Sequence, residues 1–353
     1  MRPVEEPIAE LRSARARTRR VADDLRGSRE LGPKLAIVNP PRWELGHVGW
    51  FQEFWCLREG GKGAGSILPN ADRLYNSATV AHDTRWELPL PSFDETLGYR
   101  EEVLGLVAKA GCEPYFLRLA ARHEEMHAEA FFYTRHTLGY PPPAVEPIAP
   151  PLVTARGDAE IPGGLFRLGS PPEAAFAFDN EKWSHPLVLE RFRIARGLVT
   201  NAEYLRFVEA GGPKPAHWRK QDGWEVRRFD RWIPFSPDEP VMHVSWDDAQ
   251  AYCRFAGRRL PSEAEWERAA MASDAGIEHL FGAVWQWTAS TFLPYPGFLR
   301  DPYAEYSEPW FATHKVLRGG SFATPPVIGH ARFRNFYGAG RADIFAGFRT
   351  CAP

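Results

Sequence analysis

A chain of 353 residues is longer than one ordinary hydrophobic core organises, so two domains are expected. Its 44% apolar and 25% charged residues are those of a globular protein, and a formal charge of −2 gives no sign of a nucleic-acid or membrane partner. No apolar run approaches the roughly 20 residues that span a bilayer, and the first residues are charged rather than signal-like, so a cytoplasmic location is expected.

The basic stretch Arg12 to Arg20 lies within an amphipathic pattern running over residues 5–27, which predicts a helix with a solvated basic face. After the breaker Asn39-Pro40-Pro41, residues 43–57 form an aromatic-rich helix. Helical periodicity returns over 93–110 and 114–138, separated by Gly111-Cys112-Glu113-Pro114. Four helices with one long connection, 58–91, predict an up-down bundle over residues 1–140. The proline-rich stretch that follows Gly139 makes a stiff linker, placed at 141–151. Beyond it, over 152–353, short apolar stretches alternate with Gly, Pro and Asp turns. One helix is expected from Trp246 to Ala256 and another from near Ser262, giving an α+β domain without internal repeats. The 13 tryptophans and 32 prolines suit a loop-rich half with aromatic-lined pockets. Cys56, Cys112, Cys253 and Cys351 are scattered, with no CxxC pair. That argues against a zinc ribbon or a disulfide framework and fits a reducing compartment.

The sharpest local signal is RHEEMHAEAFFY, residues 122–133. His123 and His127 are four apart and share a helix face, so both imidazoles reach one point. Glu129 is placed to orient a ligand from behind. Three readings fit this segment: a metal site, a charged surface helix, or the zinc-protease pattern HExxH with Glu124 as its acid. A third ligand must come from elsewhere. Of eleven histidines, His47 is the best placed, among Trp43, Trp50, Phe51, Phe54 and Trp55, although a packed core histidine would look the same.

NPPRWELGHVGWFQEFW, HEEMHAE, the block PVMHVSWDDAQAYCRFAGRRLPSEAEWERAA (240–270), GAVWQWT (282–288), VLRGGSF (316–322) and the terminal GFR (347–349) stand in one order. Together they resemble the ergothioneine sulfoxide synthase family, which includes a selenoneine synthase branch. The resemblance implies a DinB-like four-helix bundle fused to a formylglycine-generating-enzyme-like (C-type-lectin-like) domain. It implies Fe(II) on His47, His123 and His127, with dioxygen and hercynine as small-molecule substrates. It implies that Asn335, Phe336 and Tyr337 bind the quaternary ammonium and carboxylate of hercynine, and that Tyr295 donates a proton, with Phe292 the alternative occupant of that place. The stretch after Arg318-Gly319-Gly320 lacks the cysteine pair of true formylglycine-generating enzymes, so their copper chemistry is not expected.

Two departures bear on the chalcogen donor. Members that use γ-glutamylcysteine carry an arginine pair where this chain has Glu87 and Leu90, although Arg85 is close by. Met126 stands where some relatives carry glutamine. A neutral, soft donor site points to a selenosugar and carbon–selenium bond formation. The alternatives are carbon–sulfur bond formation with cysteine or γ-glutamylcysteine, and a non-catalytic metal-binding module.

Overall fold

The computed structural model describes residues 5–63, 65–272 and 275–353. The chain divides into two compact units, Met1–Glu146 and Pro147–Pro353.

The first unit is helical. Its elements are α1 (Glu5–Ala22), α2 (Pro41–Cys56), the short α3 (Ala71–Tyr75), α4 (Phe93–Ala110) and α5 (Pro114–Leu138). The bounds of α4 and α5 are those the periodicity predicts. Each is set by local chemistry: Ser92 and Glu95 close a capping box at the start of α4, and Pro114 opens α5 where its missing N–H costs nothing. Both helices end on glycines in the left-handed region, Gly111 and Gly139. The expected helix over 5–27 stops instead at Ala22. Asp23 and Asp24 follow it, and acids oppose the negative end of a helix dipole. The connection 58–91, read from sequence as one elaborated loop, contains α3.

α1 packs along α5, and α2 packs against both α4 and α5. One buried ionic network joins all four long helices. Glu124 of α5, 1% exposed, accepts from Arg15 Nε of α1 at 2.7 Å and from Arg100 Nη2 of α4 at 3.2 Å. Arg15 also donates to the Arg100 carbonyl at 2.5 Å and to Gln52 Oε1 of α2 at 2.8 Å. Coulombic attraction to the two guanidiniums holds the Glu124 carboxyl below its usual range, against the desolvation that would raise it.

The second unit is α+β. It contains β1 (Asp158–Ile161), β2 (Gly164–Leu168), β3 (His185–Leu189), β4 (Phe192–Ala195), α6 (Asn201–Glu209), β5 (Trp218–Lys220), β6 (Trp224–Arg228) and β7 (Arg231–Pro234). These are followed by α7 (Trp246–Phe255), α8 (Glu263–Ala270), β8 (Trp285–Thr291), β9 (Lys315–Arg318), β10 (Asn335–Tyr337) and β11 (Ala346–Gly347). The main sheet has the order β10-β9-β8-β11, antiparallel except where β11 runs parallel to β8. Antiparallel β1–β4, β2–β3 and β5-β6-β7 sheets precede it in sequence. The two expected helices are α7 and α8, each started by a serine capping box at Ser245 and Ser262.

The sequence blocks of this unit interlock through buried polar pairs. Arg318, from VLRGGSF, pairs with Glu267 of α8. Arg349, from the terminal GFR, donates to Gln286 Oε1 of GAVWQWT at 2.7 Å, and Trp266 Nε1 donates to the same oxygen at 2.8 Å. Arg334 grips both oxygens of Glu263, at 2.8 and 3.0 Å.

Glu181 is buried close to this network. It accepts from the Phe178 N–H and the Ser170 hydroxyl, both at 3.1 Å, and burial pushes its carboxyl from 4.5 up to about 7. A carboxyl whose folded value lies above its unfolded one stabilises the fold below about pH 4.5. That contribution is lost as the pH rises through about 7, and amounts to roughly 3 kcal/mol. Glu181→Gln is therefore expected to be more stable than the parent above pH 7, with the difference shrinking towards pH 4.5. Denaturant titrations across that window check this; parallel profiles would contradict it.

Candidate metal centre

Three imidazoles converge inside the helical unit: His47 from α2, and His123 and His127 from α5. One ligand nitrogen from each lies within 4.8 Å of the others. His47 Nε2 and His123 Nε2 are 3.2 Å apart. The ring centroids of His47 lie 5.0 Å from those of both His123 and His127.

What fixes the rings is on their outer sides. His47 Nδ1 lies 2.7 Å from the Tyr75 carbonyl at the end of α3. A carbonyl only accepts, so Nδ1 carries the proton and Nε2 faces inward as a lone pair. His127 Nδ1 lies 2.6 Å from Glu44 Oε1, one α2 turn before His47, and the same reasoning turns its Nε2 lone pair inward. Burial, followed by repulsion from neighbouring imidazoles, holds His47 and His123 well below the usual histidine range, so both are neutral at pH 7.

Aromatic faces make the walls. Phe51 stacks on His123 at 3.6 Å, and Trp43 on His47 at 4.9 Å. α2 must approach α3 closely for the Tyr75 contact, and Gly46 allows it: a Cβ there would lie 2.2 Å from Tyr75 Cζ. Only His127 of the three keeps appreciable exposure, 19% of its side chain, so the centre opens on that side.

Inward lone pairs on neutral imidazoles suit a divalent transition ion. This donor set is compatible with iron, zinc or copper, and contributes no charge of its own. The zinc-protease reading loses its general base, because Glu124 is locked between Arg15 and Arg100. Glu129, expected to orient a ligand from behind, is buried on α5, the helix of His123 and His127, and the carboxylate behind His127 belongs to Glu44. Its signal, an acid three residues before His47 on a shared helix, was present in WELGH but matched no known spacing.

The other expected site residues fall in several places. Met126 is half-buried on α5 beside His127. The Glu87 side chain is 75% exposed and paired with Lys34 at 3.1 Å. Leu90 is half-buried. The inward residue of this strip is Arg85, whose guanidinium lies 3.9 Å above the Trp43 ring and donates to Asn39 Oδ1 at 2.6 Å.

In the second unit, β10 carries Asn335, Phe336 and Tyr337, all half-buried. Phe336 stacks on Phe292 at 4.1 Å, and the Arg341 guanidinium lies 5.2 Å over Tyr337. Asn335 Oδ1 accepts from the Phe336 N–H at 2.9 Å. Tyr295, named by resemblance as the proton donor, sits in the core of this unit. It is buried with Phe166, Leu168 and Ala264, its ring lies 4.0 Å from the Arg334 guanidinium, and its hydroxyl donates to Glu263 Oε2 at 3.3 Å. Burial pushes its phenol up, so it holds its proton as part of the core network. Phe292 is equally buried and carries no proton to give.

The chain thus combines a helical unit presenting three converging imidazoles with an α+β unit knit by buried arginines. The second unit matches the Sulfatase-modifying factor enzyme 1-like domain over residues 148–278 and 270–352. Over its whole length the chain is similar to the hercynine oxygenase of Mycolicibacterium smegmatis, 32% identical across 96% of this chain and 97% of the relative. The hercynine oxygenase of Mycobacterium tuberculosis is 31% identical across 98% of both. Ergothioneine biosynthesis protein 1 of Schizosaccharomyces pombe is 30% identical over 49% of this chain and 27% of the relative. The chain belongs to the hercynine oxygenase family.

Glu44 and Glu124, both buried carboxylates, separate by experiment. Glu44→Gln is expected to weaken divalent-metal affinity by about 10- to 100-fold while the unfolding midpoint of the metal-free protein changes little. Glu124→Ala removes the buried acceptor shared by two guanidiniums and is expected to cost about 3–5 kcal/mol of stability. Isothermal titration with metal and denaturant melts of both variants read the contrast; a reversed pattern would refute these roles.

Proposed function

We propose that this protein is a non-haem iron(II), dioxygen-dependent enzyme that joins hercynine to a chalcogen donor, with a selenosugar as the donor and a carbon–selenium bond as the product. The reading is carried by the three converging imidazoles with inward lone pairs, in a chain related over its full length to hercynine oxygenases. His47, His123 and His127 would hold the iron. Bound iron would supply open coordination positions for a chalcogenolate and dioxygen. Tyr75 and Glu44 orient the rings, while Phe51 and Trp43 keep water from their faces.

For hercynine, the quaternary ammonium calls for aromatic faces, a contact worth about 1–2 kcal/mol when desolvated. By resemblance, Phe336 and Tyr337 supply these and Asn335 supplies an amide. The preference for a neutral donor rests on Leu90 and Met126, which offer apolar surface, and on the absence of an arginine pair at positions 87 and 90. A thiol donor, cysteine or γ-glutamylcysteine, is the second reading. It is favoured by Arg85, a buried cation next to the wall of His47.

The test supplies hercynine, iron(II) and air with a selenosugar, cysteine or γ-glutamylcysteine in separate reactions, followed by mass spectrometry. A carbon–selenium product with the selenosugar alone is expected. Turnover only with a thiol selects the second reading, and no product with any donor overturns both. In parallel, His123→Ala is expected to lower iron(II) affinity by more than about 100-fold in anaerobic titration. Undiminished affinity would leave only a site elsewhere.

A further inference from the structure

Cys56 and Cys112 stand 56 positions apart in sequence, and nothing in their spacing links them. The fold brings them together. Cys56 is the last residue of α2, and Cys112 lies in the three-residue turn between α4 and α5. Cys112 Sγ donates to the Cys56 carbonyl at 2.7 Å, which sets it against Cys56, and Cys56 Sγ donates to the Phe116 carbonyl at 3.5 Å. Cys56 is buried, whereas Cys112 is partly open to solvent.

We propose that Cys56 and Cys112 are a redox-active dithiol that hydrogen peroxide converts into a disulfide, joining the end of α2 to the turn that precedes α5. The roles follow from access and hydrogen bonding. Cys112 is the thiol a peroxide can reach. The neighbouring Cys56 S–H is placed to turn to a Cys112 thiolate, which holds Cys112 below the ordinary thiol range, while Cys56 itself is pushed up. The Cys112 thiolate attacks one peroxide oxygen, the O–O bond breaks, and hydroxide leaves to take up the Cys112 proton as water. This gives a sulfenic acid on Cys112. The Cys56 sulfur then displaces the sulfenic hydroxyl, the S–S bond forms, and the hydroxyl leaves with the Cys56 proton as a second water. Both sulfurs are oxidised by one electron, and both peroxide oxygens end as water.

The remaining cysteines lack these features. Cys253 and Cys351 are buried, and desolvation pushes each thiol up to about 12. They serve as internal controls. The position of the pair also has a structural consequence. Phe116, two residues into the start of α5, stacks on Trp55 at 5.7 Å. Trp55 meets Phe51 at 6.1 Å, and Phe51 stacks on His123. A bond at Cys56–Cys112 therefore braces the outer end of a ring stack whose inner end is an imidazole of the three-histidine cluster. The proposal does not rest on which metal, if any, those imidazoles hold.

The experiment treats the full chain with hydrogen peroxide in the presence of a chelator, which suppresses metal-catalysed oxidation. Thiols are counted after denaturation, and non-reduced peptides are mapped by mass spectrometry. The expected result is loss of the two thiols at Cys56 and Cys112, a mass decrease of two hydrogens, one cross-linked peptide pair, and reversal by dithiothreitol. Cys112→Ser is expected to remove all peroxide sensitivity, and Cys56→Ser to leave Cys112 with added oxygen and no cross-link. Retention of all four thiols would overturn the proposal, as would oxygen addition at Cys112 of the parent protein without a cross-link. The parent protein's map decides the matter even where a variant fails to fold.

Discussion

A carboxylate held between two guanidiniums organises the helical unit. Glu124 cannot be left unpaired at 1% exposure, since a lone buried charge costs several kcal/mol. It must therefore face Arg15 on α1 and Arg100 on α4, and this fixes the rotation of α5 about its axis. His123 is its chain neighbour and His127 lies one turn on, so their directions are fixed with it. Gln52, bound to the same Arg15, sets α2 in register, and α2 carries His47 and Glu44. One network thus positions every histidine of the cluster without touching any of them.

The cluster itself is asymmetric. His47 leans on a neutral carbonyl and His127 on a carboxylate, so His127 is the more strongly polarised donor, and it is also the ring nearest solvent. Neither outer acceptor lies far in sequence from a ligand helix, yet Tyr75 reaches its place only because Gly46 clears a path for it. Substituting that glycine would disturb the backbone acceptor before it disturbed any ligand.

In the second unit the same principle appears with other partners. Arg318, Arg334 and Arg349 are fully buried, and each is tied to a carboxylate or amide from a different sequence block. Those blocks are the recognisable part of the domain, but their arginines and glutamates hold segments together. Tyr295 belongs to that scaffold through the hydrogen bond from its hydroxyl to Glu263.

The bounds of α4 and α5, the starts of α7 and α8, and the pairing of His123 with His127 on one helix face were legible in the sequence, because each depends on neighbours within a few residues. The family relation was legible too, through the order of its blocks. Tertiary structure alone decided the rest. It turned Arg85 inward and left Glu87 in water, put Glu44 behind His127, assigned Glu124 to the core, and brought Cys56 to Cys112. In each case the deciding quantity was the cost of burying a polar group without a partner, and partners distant in sequence become visible only when the chain has folded.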